Sequence, residues 1–171
     1  MSRFTDTLVA VAKRELGTHE VGTSNCGLRV NEYKRATTLS DQADENWPWC
    51  CAFICWIVRE SMKIAGVKET ETFKRPKTAA AFGLIGWSLD QDKTTQTRRT
   101  LKPESIQAGD LLVFTFSHCG IATGPVDPDG LIPTIEGNTS PGDGGSQRDG
   151  GGVHARKRRL SQVKARIRFT V

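Results

Sequence analysis

A cysteine nucleophile needs a place that favours its thiolate and a base within reach. Cys50 meets the first condition. It lies in the first turn of the run Trp49 to Ala65, where Phe53, Ile57 and Met62 mark one side of a helix and Ile54, Val58 and Ala65 another. Unpaired backbone N–H groups and the dipole at such a helix start favour an anion and lower a thiol's pKa. The competing reading is packing, because free cysteines are among the most buried residues. Cys51 and Cys55, four apart on one face, fit packing better, and Cys26 and Cys119 read as incidental. Paired C-x-x-C spacings with nearby histidines, the mark of a zinc site, do not occur.

The candidate bases are His19, His118 and His154. His118 opens a strand directly behind another, Asp110 to Phe116, across a tight connection at Ser117, which fixes it on a sheet. His19 falls in a polar loop, and His154 stands among basic residues that depress its proton affinity. Either Glu136 or Asn138, at the end of the next apolar strand, can accept the imidazole N–H, fix its tautomer and stabilise the imidazolium. Taken singly, His118 is a sheet histidine without a task and Glu136-Gly137-Asn138 an ordinary turn.

The elements that must position these groups follow from periodicity. Phe4, Leu8, Val11, Ala12 and Leu16 recur at helical spacing with Gly17 as the stop, which predicts an amphipathic helix and no signal peptide. A short helix follows at Leu28–Ala36, then the acidic stretch Ser40 to Asn46. Asn46 and Pro48 suit the cap and first turn of the Cys50 helix, and Gly66 its end. An Ala-rich helix is predicted over Thr78–Gly86, followed by a polar loop to Thr100. Strands are predicted at Asp110–Phe116, His118–Thr123, Leu131–Glu136, Val153–Arg158 and Ala165–Thr170, with a Gly/Asp-rich loop over Pro141–Gly152. Helices first and strands second, without βαβ alternation, predict an α+β fold with an antiparallel sheet.

Taken in this order, three runs resemble the CHAP domain family. They are Trp49-Cys50-Cys51-Ala52-Phe53-Ile54-Cys55-Trp56, then Gly109 to Phe114 with His118-Cys119-Gly120-Ile121-Ala122-Thr123-Gly124, and Ile135-Glu136-Gly137-Asn138-Thr139. The family comprises papain-like cysteine amidohydrolases and peptidases that cut bacterial peptidoglycan. The resemblance runs from about Thr18 to Phe169. It implies a papain-like fold whose nucleophile helix packs on the antiparallel sheet, with Cys50 as nucleophile, His118 as base, Glu136 as orienting acid and Asn138 as a further polar site residue. Cys51 fills a position that is usually small. The implied reaction is acyl transfer, with the Cys50 N–H and a donor from the Asn46–Trp49 loop holding the oxyanion. The bond is that of an N-acetylmuramoyl-L-alanine amidase or of a stem-peptide or crossbridge endopeptidase, as in single-domain phage endolysins. No cofactor is implied except that some members bind calcium through acidic residues ahead of the nucleophile. Asp41, Asp44 and Glu45 stand there, but their spacing spells no known calcium loop, and a solvated acidic loop is the favoured reading.

Length and charge bound the rest. At 171 residues the chain is expected to be one catalytic domain, a monomer, large enough to need no disulfide staple. Five cysteines, an odd count with two adjacent, fit synthesis in a reducing bacterial cytoplasm, with action on the wall after release or export by other machinery. The net charge of +5 becomes −2 over the first 152 residues, because all seven basic residues beyond them lack any acidic neighbour. The closing strands, 153–171, are expected to face their Lys and Arg outward, toward an anionic envelope surface. The expected partner is peptidoglycan. An antibacterial secreted amidase with an immunity partner keeps the same chemistry. A non-enzymatic basic nucleic-acid-binding module is disfavoured, because the basic strands carry almost no aromatic platforms and no recognition helix; no specific nucleic acid is expected.

Overall fold

Among the described residues four helices, α1 (Arg3–Arg14), α2 (Leu28–Lys34), α3 (Cys50–Ala65) and α4 (Gly83–Leu89), precede six strands. The strands are β1 (Thr94–Thr97), β2 (Leu111–Phe114), β3 (His118–Ala122), β4 (Leu131–Thr139), β5 (Gly152–Arg159) and β6 (Val163–Phe169). This computed structural model describes residues 3–98, 101–142 and 144–171; the first two residues of the N-terminal segment, the last two of the polar loop and Asp143 of the Gly-rich loop lie outside the described residues. The strands form one antiparallel sheet in the order β1-β6-β2-β3-β4-β5, the α+β architecture that the segregation of periods predicts. Among the described residues no helix is long and apolar enough to cross a membrane.

The helix α3 is buried along its first nine residues and again at Ser61 and Met62. It lies against β3 and β4, and Leu111 and Val113 of β2 complete the core with Cys119, Ile121 and Ile135. Burying each large apolar side chain there contributes roughly 1.5–3 kcal/mol. At Gly137 the approach is so close that a Cβ would stand 2.7 Å from the Phe53 ring, so the glycine lets helix and strand meet. A smaller cluster of Ile106, Leu112, Phe114, Ala122, Ile132 and Val163 covers the opposite face of the sheet.

Several local expectations are corrected. The helix starts at Cys50, with Trp49 as its N-cap and Pro48 outside it. Asn46 does not cap, because its Oδ1 accepts a hydrogen bond from Asn25 Nδ2 at 2.9 Å. Gly66 ends the helix as expected, in the left-handed region at φ 70°. The Ala-rich helix is displaced to Gly83–Leu89, because the Thr78 hydroxyl accepts the Ala80 N–H and holds that stretch in a turn. β1 lies in the expected polar loop; its four residues are all polar and give no alternation to read. The strand over Asp110–Phe116 stops at Phe114, and the connection to β3 takes three residues, closing with Ser117 at φ 59°. The closing strands do not turn all their charge outward. Arg156, Arg158 and Arg166 are 7%, 3% and 9% exposed.

Candidate active site

Cys50 occupies the first position of a 16-residue helix whose N-cap supplies no side-chain acceptor, so the first-turn N–H groups stay free to face an anion. The residue is 5% exposed. Its pKa is drawn well below the ordinary value: the Cys119 thiol donates to its sulfur, and burial, which opposes ionisation, is overcome with help from His118 and the Cys51 backbone N–H. Cys51, one peptide bond away, goes the other way, pushed well up by burial and by the neighbouring Cys119. Cys55 is likewise pushed up by burial. All five cysteines are free.

His118 is carried on β3, fully buried, its ring stacked on Phe116 at 5.8 Å and on Phe114 at 6.0 Å. Nε2 donates to Glu136 Oε2 at 3.0 Å. That leaves Nδ1, buried and without a hydrogen-bond partner among the described residues, as the ring nitrogen that can face the Cys50 sulfur. Burial disfavours the imidazolium, but hydrogen bonds and charge from Cys50 and Glu136 outweigh it and push His118 up to about 9. A lowered thiol beside a raised imidazole is the arrangement that a thiolate–imidazolium pair requires.

Glu136 reaches His118 because the neighbouring position on β3 is glycine. A Cβ at Gly120 would stand 2.6 Å from Glu136 Cγ. The carboxylate is held on every side: Thr134 Oγ1 donates to Oε1 at 2.6 Å, Arg158 Nε donates to Oε1 at 2.8 Å, and Arg158 Nη2 donates to Oε2. Burial alone raises a carboxyl, yet Arg158 and His118 hold this one down at about 2. Arg158 in turn lies over the Phe116 ring at 5.2 Å and the Phe114 ring at 5.5 Å, so the same aromatic pair supports imidazole and guanidinium.

Of the two candidate acceptors, then, His118 meets Glu136. Asn138 is buried nearby in the left-handed region at φ 56°, but its side chain faces the Gly-rich loop: Nδ2 donates to Asp149 at 3.2 Å, and Oδ1 accepts the Gly151 N–H at 3.4 Å. Gly151 O accepts the Glu20 N–H, and Glu20 Oε1 accepts the Trp49 indole N–H at 2.9 Å. Asn138 therefore braces a chain of contacts that ends at the residue before Cys50. Glu136-Gly137-Asn138 is no turn; β4 runs through it, with a bulge before Thr139. His19 is bridged to Gly152 at the sheet's far edge, and burial with Arg156 lowers His154. In the Asn46–Trp49 loop both indoles are already committed, Trp47 to Gln42 O and Trp49 to Glu20, so any oxyanion donor from this loop has to be a backbone N–H.

Three participants escaped the sequence reading. Cys119 read as incidental, yet its thiol meets Cys50. Thr134 carried no signal. Arg158 had one: alternation along Val153 to Arg158 puts His154, Arg156 and Arg158 on one face, the face of Glu136. The calcium candidates do not converge. Asp44 spends its exposed carboxylate on Asn31 and Arg35, and among the described residues no three acidic, His or Cys side chains form a metal-binding group.

Beyond Arg158 and Phe116 the sheet bounds a cavity of about 730 Å³ lined by Gln147, Arg148, Arg156 and Arg159. A second, largely apolar hollow of about 640 Å³, between Leu16, Pro133, Ile135 and Ala155, is not lined by Cys50 or His118.

No family model matches the chain, and no curated protein is similar to it. Among solved structures it resembles that of a wild-type endolysin, LysIME-EF1. The TM-score is 0.55 at 18% identity, over 99% of this chain and 65% of that one. At that identity the likeness is one of fold. The chain spans about two thirds of the endolysin's length.

Proposed function

We propose that the chain is a cysteine peptidoglycan hydrolase of the CHAP type, a single catalytic domain of a phage or prophage endolysin. The observation that carries this reading is the Cys50–His118–Glu136 arrangement: a thiol drawn down at a helix start, an imidazole raised to about 9, and a carboxylate hydrogen-bonded to that imidazole at 3.0 Å. The likeness in fold to an endolysin supports it. The substrate is an amide of peptidoglycan, either the muramoyl-L-alanine bond or one within the stem peptide or crossbridge.

In this mechanism the Cys50 thiolate attacks the amide carbon while backbone N–H groups at the start of α3 receive the developing oxyanion. Each such donor is worth about 3 kcal/mol of barrier. His118 Nδ1–H protonates the leaving amine, and Glu136 holds the ring through Nε2. The same nitrogen then takes a proton from water, which attacks the thioester and frees the acid. The basic closing strands contribute their outward residues, among them Lys157, Arg159 and Lys164, toward an anionic envelope.

Clearing of purified cell walls by wild type, Cys50→Ala and Cys51→Ala tests the assignment. The expected result is loss of clearing in Cys50→Ala alone, with its circular dichroism unchanged, and mass spectrometry of the released muropeptides then names the bond. Full activity in Cys50→Ala would sink the reading, and loss confined to Cys51→Ala would move the nucleophile by one residue.

A further inference from the structure

Lys34, the last residue of α2, is fully buried, and the mechanism above does not use it. Its ammonium donates to the backbone carbonyls of Asn25 and Glu45, the latter at 2.6 Å, and the Trp47 ring closes a third side at 4.8 Å. Among the described residues no hydrogen bond runs from it to a carboxylate. The acceptors belong to two segments far apart in sequence: the loop after α1, and the acidic stretch that leads through Asn46, Trp47, Pro48 and Trp49 into Cys50. Side chains add to the same joint. Asn25 Nδ2 donates to Asn46, and the Cys26 thiol donates to Asp44 O at 3.5 Å.

Convergent carbonyl oxygens around a buried positive charge are what a bound cation supplies in many loops. Here the acidic side chains of the stretch do not fit a divalent ion. Asp44 is turned outward onto Asn31 and Arg35, and the inward-facing carbonyls are already taken by the ammonium. We propose that Lys34 is a positioning residue, a covalently attached cation that fixes the Asn46–Trp49 segment and so the backbone donors beside Cys50, making activity independent of divalent metal. Burial lowers the lysine's proton affinity, and nearby Cys26, Glu20, Asp44 and Glu45 oppose that shift.

The proposal rests on the hydrolase reading for its kinetic arm and stands apart from it in its other arm. Wild type is assayed for wall clearing and for thermal unfolding in calcium and in a chelator, beside Lys34→Met, Lys34→Ala, and Lys34→Ala supplied with ethylammonium. Clearing by wild type is expected to be the same in calcium and chelator, with an unmoved Tm. Lys34→Met is expected to lose roughly a hundredfold in kcat with little change in KM, as misplaced oxyanion donors require. Its Cys50 alkylation profile against pH stays that of wild type, since the Cys50–His118 pair is not touched. Ethylammonium restores Lys34→Ala in both clearing and Tm, and sodium at equal ionic strength does not.

Retained kcat in Lys34→Met overturns the proposal, as does a wild type whose Tm and clearing rise with calcium and fall in chelator. If wild type shows no Cys50-dependent clearing, the hydrolase reading fails instead. The unfolding arm then decides Lys34 by itself: rescue of Lys34→Ala by ethylammonium upholds the attached cation, and a calcium-dependent wild-type Tm removes it.

Discussion

The acidic stretch before α3 and the basic closing strands are the two most lopsided charge regions of the chain, and each has a buried cation near the candidate site: Lys34 beside the first and Arg158 within the second. On the basic side Arg158 meets a carboxylate, with Nε and Nη2 both donating to Glu136. On the acidic side Lys34 meets carbonyls and an aromatic ring. Around Lys34, Asp44 and Glu45 stay at the surface, while Glu136 is buried beside Arg158. A cation with its counter-ion beside it fixes the titration of that counter-ion, here holding Glu136 at about 2. A cation set among carbonyls changes no such titration and instead holds the backbone in place. The net charge of a segment therefore does not say what its buried charge does.

The largest separation between the two regions is expected from removing the counter-ion. Glu136→Gln keeps the shape and deletes the charge, and kcat for wall clearing is expected to fall on the order of 10²–10⁴-fold. His118 then loses a carboxylate that offsets its burial, so its pKa drops from about 9. Iodoacetamide modification of Cys50, followed against pH, reads this directly: the limb associated with loss of the imidazolium moves to lower pH. A limb that stays in place would deny Glu136 its role. No change at Lys34 is expected to move that limb, which is the sharpest contrast between the regions.

Next in size is Arg158→Met. It leaves the Glu136 carboxylate buried with half its partners gone, and removing one member of a buried pair costs about 3–5 kcal/mol, measurable by urea unfolding at neutral pH. The sign of the pH dependence follows from Glu136. Its folded value of about 2 lies below the ordinary 4.5, so its contribution is complete above 4.5 and is lost as pH falls through 2. Without Arg158 the folded value rises, and both the size of that contribution and the depth of acid needed to lose it shrink. His118 works in the opposite sense: its raised pKa stabilises fully below 6.5 and is lost as pH rises through about 9. A loss in Arg158→Met as small as that of a surface substitution would erase the distinction drawn between the two cations.

Much of this was legible in the sequence, and the reasons differ by element. The girth of apolar residues from Trp49 to Ala65 could only be a buried helix, and the order of helices then strands admitted an antiparallel α+β fold. His118 could be singled out because it opens a strand directly behind another, and Glu136 because it stands at the end of the next apolar strand. What the nearby glycines do could not be read: at 120 the glycine clears a path for Glu136, and at 137 it admits Phe53, so a strand looked like a turn. β1 was hidden because a four-residue polar edge strand shows no period. Cys119 was hidden because a thiol one residue from the base is indistinguishable from packing until α3 is set against β3. Lys34 was hidden more completely, since one lysine in a short polar helix carries no mark of burial and its acceptors are backbone atoms.

The smallest effect is the one that best separates an attached cation from a bound one. Asp44 is the most natural metal ligand in the acidic stretch, yet its side chain is 77% exposed, accepting from Asn31 at 2.7 Å and from Arg35 at 3.2 Å. Surface pairs of this kind contribute little, and asparagine retains the acceptor, so Asp44→Asn is expected to change unfolding stability by less than about 0.5 kcal/mol. Clearing of cell walls is expected to be unchanged and still indifferent to chelator. The one shift expected is in Lys34, whose proton affinity Asp44 helps to sustain, and its direction is down. If Asp44→Asn instead loses activity that added calcium restores, the carboxylate has been holding a metal, and the acidic side of the molecule would then resemble the basic side after all: a cation balanced by a carboxylate.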